Sequence, residues 1–143
     1  MKKLLTTLFL IAATFTASAV EVGISEVHDY GVKKNGYRAS VEVAGINLTG
    51  THMGHSYNRL TVGKDFQVFK FGNATFYAGA SAAYQNTLVS NVANGYGAVA
   101  DVKADLVVSK NINLTLGAEH FGGRNQIKQF NGNAVNIGLE YKF

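Results

Sequence analysis

The last eleven residues of the chain alternate strictly between apolar and polar side chains, and this pattern constrains the fold more than any other feature of the sequence. In an extended Asn133–Phe143 segment, one face would carry Val135, Ile137, Leu139, Tyr141 and Phe143, and the other Asn136, Gly138, Glu140 and Lys142. Successive side chains of a strand point to opposite faces. The segment is therefore predicted to be a β-strand with an apolar environment on one side and a polar one on the other.

Similar alternation recurs along the chain. The segments that show it are Gly95–Val108, Ile112–His120, Ala74–Tyr84, Tyr57–Phe66, Gly36–Val43 and a strand that begins at Val20. The stretches between them, Asp29–Gly36, Gln85–Asn94 and Gly122–Gly132, are rich in Gly, Asn and charge and are predicted to be loops. Sixteen glycines and a chain rich in Phe and Tyr also favour strands over helices.

The first nineteen residues have the features of a secretory signal peptide. Lys2 and Lys3 precede an uncharged run, Leu4–Ala17, which is short for a membrane-spanning helix. Ala17-Ser18-Ala19 then supplies the small residues that signal peptidase accepts. We predict cleavage before Val20, which divides the chain into a signal peptide, 1–19, and one mature domain, 20–143; a buried N-terminal helix is the alternative.

Strand parity suggests how the mature domain closes. Lipid cannot satisfy backbone hydrogen bonds, so strands cross a membrane only as a closed barrel, and bacterial barrels of one chain have an even number of strands. The segments above number seven, and their directions agree if a turn at Ala44-Gly45 separates a further strand, Ile46–His52. The predicted fold is all-β: an up-and-down antiparallel transmembrane β-barrel of eight strands.

Composition excludes several classes of protein. The chain has no cysteine, and therefore neither disulfides nor thiolate metal sites. Without Lys2 and Lys3, 11 basic residues stand against 9 acidic ones, with no basic cluster of the kind a nucleic-acid-binding protein shows. No nucleic-acid partner is expected.

The C-terminal residues Leu139-Glu140-Tyr141-Lys142-Phe143, together with the signal peptide and the alternating strands, resemble the small bacterial outer-membrane β-barrel proteins. The resemblance implies an outer-membrane location among outer-membrane lipids and lipopolysaccharide. It also implies that the outer-membrane assembly machinery reads the C-terminal Phe143. With 124 mature residues, the extracellular loops are expected to be brief, and the sequence names no extracellular partner.

In such a barrel the polar faces point inward and fill the interior, so a porin-like open channel is not expected. The predicted inward-facing charged residues are Arg38, Glu42, Arg59, Asp65, Asp101, Lys103, Asp105, Glu119 and Glu140. Aromatic residues near strand ends are predicted to form girdles at the two membrane interfaces. These are Tyr57, Phe66, Phe76, Tyr84, Tyr96, Tyr141 and Phe143. In a soluble β-sandwich or lipocalin-like barrel, the alternative fold, the same residues would pack a core.

Few residues suggest chemistry. His52 and His55 have His-x-x-His spacing, but in a strand that enters a loop the two side chains would not converge on a metal ion. No bound metal is therefore expected. The sequence contains no glycine-rich phosphate loop, nucleophile elbow or His-Glu-x-x-His motif, so no cofactor is predicted.

One stretch, Glu119-His120-Phe121-Gly122, is similar to the active-site strand of outer-membrane lipid A deacylases. In those enzymes a His, and a Ser two residues later, face the lipid near the rim. The resemblance makes His120 the one weak catalytic candidate, yet Gly122 stands where acyl transfer needs a nucleophile. We therefore expect a non-enzymatic barrel with a structural or adhesin-like surface role. A lipid A-modifying enzyme and a soluble periplasmic ligand binder are the alternatives.

Overall fold

A computed structural model describes residues 20–89 and 94–143. The predicted signal peptide, residues 1–19, lies outside the described residues. The elements are β1 Val20–Asp29, β2 Lys34–Val43, β3 Ile46–Met53, β4 Tyr57–Phe71, β5 Ala74–Thr87, β6 Gly95–Val107, β7 Ile112–Gly123, the 3-10 helix Asn125–Phe130 and β8 Gly132–Lys142. Across these two ranges, no helix has the length and apolar character needed to cross a membrane.

The eight strands close into an antiparallel barrel, which confirms the predicted fold class and strand number. Each strand pairs with its neighbours in the chain, and β1 pairs with β8. Moving from each residue to its paired residue on the next strand leads once around the barrel, from Lys142 of β8 to Gly132 of the same strand. The strands are therefore staggered by ten residues over one circuit of the barrel. A barrel with such a stagger has strands tilted by about 40° to its axis.

The connections define two ends of the barrel. The turn end contains Val20, the C-terminus and the segments 44–45, 72–73 and 108–111. The loop end contains the segments 30–33, 54–56 and 124–131, and the described residues 88–89 and 94 between β5 and β6.

The Ala44-Gly45 turn, on which the strand count depends, is confirmed. Val43 pairs with Ile46 across it, so the loop has two residues. Ala44 has φ 53° and Gly45 has φ 76°, the left-handed conformation that a type I′ hairpin requires at both positions.

Several strands are longer than their patterns predict. β4 continues past Phe66 to Phe71, because it pairs with β5 down to the turn at 72–73, with a bulge between Gln67 and Phe69. β1 includes Asp29, and β7 reaches Gly123. The predicted loop 122–132 contains the 3-10 helix, and the turn between β1 and β2 spans only 30–33.

The outer surface of the barrel carries an apolar belt. Its exposed large side chains include Ile24, Leu60, Val62, Phe66, Val102, Leu116, Ile137 and Leu139. Along β8 and the residue that follows it, the belt runs from Val135 to Phe143, a distance of roughly 20 Å along the axis at about 3.3 Å per residue and about 40° of tilt. Transmembrane barrels carry an outward apolar band of comparable height.

Candidate functional site

The polar faces of the strands meet inside the barrel, where each charged residue of the predicted inward set lies. Eight strands enclose an interior just wide enough for side chains to fill. The inward charges form two clusters at different heights, a lower one toward the turn end and an upper one toward the loop end.

The lower cluster is centred on Lys103 of β6. Its Nζ lies 3.1 Å from Glu140 Oε1, 3.5 Å from Asp105 Oδ2 and 3.7 Å from Asp65 Oδ2. Asp65 also accepts a hydrogen bond from Asn47 Nδ2 at 3.1 Å. One ammonium group thus joins carboxylates from β4, β6 and β8, which cross-links the barrel wall.

The upper cluster is centred on Glu119 of β7. Its two oxygens accept from Arg38 Nη2 at 2.6 Å and from Arg59 Nη1 at 3.4 Å. Arg59 is buried, and its Nε donates to Gln85 Oε1 at 3.1 Å. Its guanidinium carbon lies 3.7 Å from the centroid of the Phe121 ring, a cation–π geometry that suits a desolvated arginine.

Above Arg59 the loop end is covered by an apolar cap. Ile127 and Phe130 of the 3-10 helix are buried, and they pack with Val27, Met53, Tyr57 and Phe121 from the barrel wall. A Cβ on Gly123 would lie 2.7 Å from Ile127 Cγ1, so glycine at this position allows the close approach of the isoleucine. The cap separates the charged interior from the loop end.

Tyr57 belongs to this cap, and its predicted place in an interfacial girdle is wrong. The side chain points inward, is 1% exposed, and donates a hydrogen bond from its hydroxyl to Asp29. Asp29 also accepts from the backbone N–H of Gly31 at 2.8 Å, which fixes the β1–β2 turn. Tyr57 has the same parity as Arg59, so the alternation in β4 already placed it inside. The other predicted girdle residues face outward.

The space between the two clusters is small. A cavity of about 70 Å³ is lined mainly by polar side chains, among them Ser40, Thr61, Ser81, Asp101 and Asn136. It has room for a few water molecules but not for a lipid chain or a sugar. The interior is also acidic: eight of the nine Asp and Glu side chains face inward, and Glu26 is the exception.

Two solved structures resemble this architecture. A de novo designed transmembrane β-barrel matches with TM-score 0.68 and 16% identity over 87% of this chain and 95% of that chain. The outer membrane protein OprG from Pseudomonas aeruginosa matches with TM-score 0.52 and 10% identity over 89% of this chain and 96% of that chain. The chain has the fold of an eight-stranded transmembrane β-barrel. No protein-family model and no curated protein matches its sequence.

His120, the catalytic candidate, lies on the outer surface of the barrel, as its predicted facing requires. Its Nδ1 is 2.8 Å from Asn133 Oδ1 on β8. The shallow groove beside it is lined by Ala100, Asp101, Val102, Ala118, Glu119, Asn133, Ala134 and Val135. None of these residues has a hydroxyl, and the carboxylates of Asp101 and Glu119 turn to the interior. This groove therefore brings no nucleophile to the imidazole.

The His-x-x-His pair does not converge in the barrel. His52 lies on the outer face of β3, whereas His55 is exposed in the turn 54–56. Within the described part of the chain, no three His, Cys, Asp or Glu side chains are grouped so that they could hold a metal ion.

Proposed function

We propose that the protein is a closed, non-enzymatic barrel of the bacterial outer membrane, with a structural or surface-interaction role. The observation that carries this proposal is the filled interior. Two ion-pair clusters occupy it, and the apolar cap covers its loop end. A barrel of this kind contributes its outer surface and its loop end to the envelope rather than a channel.

The outer surface supports the membrane location. An apolar belt that encircles a barrel with a charged interior is the arrangement expected in lipid. A soluble lipocalin-like binder requires the opposite arrangement, an apolar cavity inside a polar exterior. The surroundings of His120 likewise give the deacylase alternative no nucleophile.

Two measurements test the proposal together. The outer-membrane fraction is run on SDS gels with and without boiling, and the purified barrel is added to a planar bilayer beside a porin as a positive control. We expect a heat-modifiable band in the outer-membrane fraction and no stable channels. A soluble periplasmic protein without a band shift would refute the location, and large stable channels would refute the closed interior.

A further inference from the structure

Three of the four histidines lie on the outer surface of the barrel near its loop end. His28 and His52 each precede the last residue of their strands, β1 and β3, and His120 lies three residues before the end of β7. Their side chains therefore stand at the border between the apolar belt and the loops.

Each of these histidines meets an asparagine on the next strand of its hairpin. His28 is paired with Asn35, His52 with Asn58 and His120 with Asn133. The distances from His Nδ1 to Asn Oδ1 are 2.5, 2.6 and 2.8 Å respectively. The remaining hairpin has Tyr84 paired with Tyr96 in the corresponding place, with ring centroids 5.1 Å apart. We call these four outward pairs the outer collar.

The asparagines orient the imidazole rings. An amide oxygen only accepts hydrogen bonds, so Nδ1 is the nitrogen that carries the proton and donates to it. Nε2 of each ring has no polar partner among the described residues. A ring held in this way binds an anion when Nε2 is also protonated, through a charge-assisted hydrogen bond.

The charge near the collar favours an anionic partner. Lys33, Lys34, Arg124 and Lys128 lie in or beside the loop-end segments and are exposed. The exposed acidic residue nearby is Glu26, which accepts from Asn35 Nδ2 at 3.3 Å. All other carboxylates are turned inward, so the outer surface at this level presents mostly cationic and hydrogen-bonding groups.

We infer that the outer collar binds the phosphate groups of lipids in the leaflet at the loop end, with His28, His52 and His120 as the contacting residues. This inference rests on the proposed membrane location. We infer a lipid rather than a free ion because the apolar belt lies directly below the collar. A phosphorylated lipid places its acyl chains on the belt and its phosphate at the imidazoles. A free phosphate ion has nothing to place on the belt.

The test uses the full mature barrel in phosphatidylcholine vesicles and compares spin-labelled phosphatidic acid with spin-labelled phosphatidylcholine by electron spin resonance, in mildly acidic buffer. The wild-type barrel is expected to prefer phosphatidic acid. The variant H28Q/H52Q/H120Q should lower that preference about threefold or more, because each lost cation near the headgroups weakens the attraction. His55→Gln, in the exposed turn, removes a histidine outside the collar and should leave the preference unchanged.

Folding of each variant is checked by heat-modifiability, and His52→Gln alone serves if the triple variant does not fold. An inserted wild-type barrel without lipid preference would overturn the inference and leave the proposed function standing. An equal loss in His55→Gln and His52→Gln would also overturn it. A wild-type barrel that does not insert would refute the proposed function, and the inference with it.

Discussion

At the level of single residues, the ion pairs of Lys103 are expected to stabilise the folded barrel. Its ammonium group lies within 3.1 to 3.7 Å of three carboxylates that are largely withdrawn from solvent. Removal of one partner from a buried ion cluster leaves uncompensated charge, so Lys103→Met is expected to lower the free energy of unfolding by about 3–5 kcal/mol. Urea titration of the vesicle-bound barrel, followed by circular dichroism, measures this change.

Lys110→Met is the matched control, because Lys110 lies exposed in the turn between β6 and β7. It should change the free energy of unfolding by less than about 0.5 kcal/mol. Equal effects of the two substitutions would mean that the carboxylates around Lys103 find another source of compensation, such as water in the adjacent cavity.

At the level of elements, the β2–β3 hairpin contains a residue that does not suit its turn. Ala44 adopts φ 53°, a conformation that costs an ordinary side chain about 1–2 kcal/mol. Asn is favoured at this position of a type I′ turn, so Ala44→Asn should stabilise the barrel by about 0.5–1 kcal/mol. Ala44→Val should destabilise it, because a β-branched residue tolerates this φ poorly. The same urea titration compares the two variants, and a stabilising Val would contradict the assigned turn.

The elements also show what periodicity can and cannot predict. Alternation predicted which face of each strand points inward, because the face that carries charged residues such as Asp101 is disfavoured in contact with lipid. Alternation did not predict where the strands end, because polar residues such as Asn86 and Asn35 suit a loop as well as a strand. The 3-10 helix was missed because Ile127 and Phe130 stand in a stretch otherwise rich in Gly and Asn.

At the level of the whole molecule, the contacts inside the barrel depend on the stagger of its strands. Arg38 and Glu119 are 81 residues apart in sequence and meet only because the barrel closes with its particular register. The sequence predicted that both residues face inward but not that they pair. The outer collar was missed for a related reason, since its histidines come from three hairpins and no local motif joins them.

The same architecture predicts how the barrel is oriented. Val20, where β1 begins, and the C-terminus both belong to the turn end, and bacterial barrels keep the end that carries their termini in the periplasm. The chain has no cysteine, so a single introduced thiol reports its own position. In intact cells, a membrane-impermeant maleimide should label His55→Cys, at the loop end, and not Lys110→Cys, at the turn end. Both variants should react after the outer membrane is permeabilised, which shows that each thiol is accessible. Labelling of Lys110→Cys alone in intact cells would reverse the orientation and place the outer collar in the periplasmic leaflet.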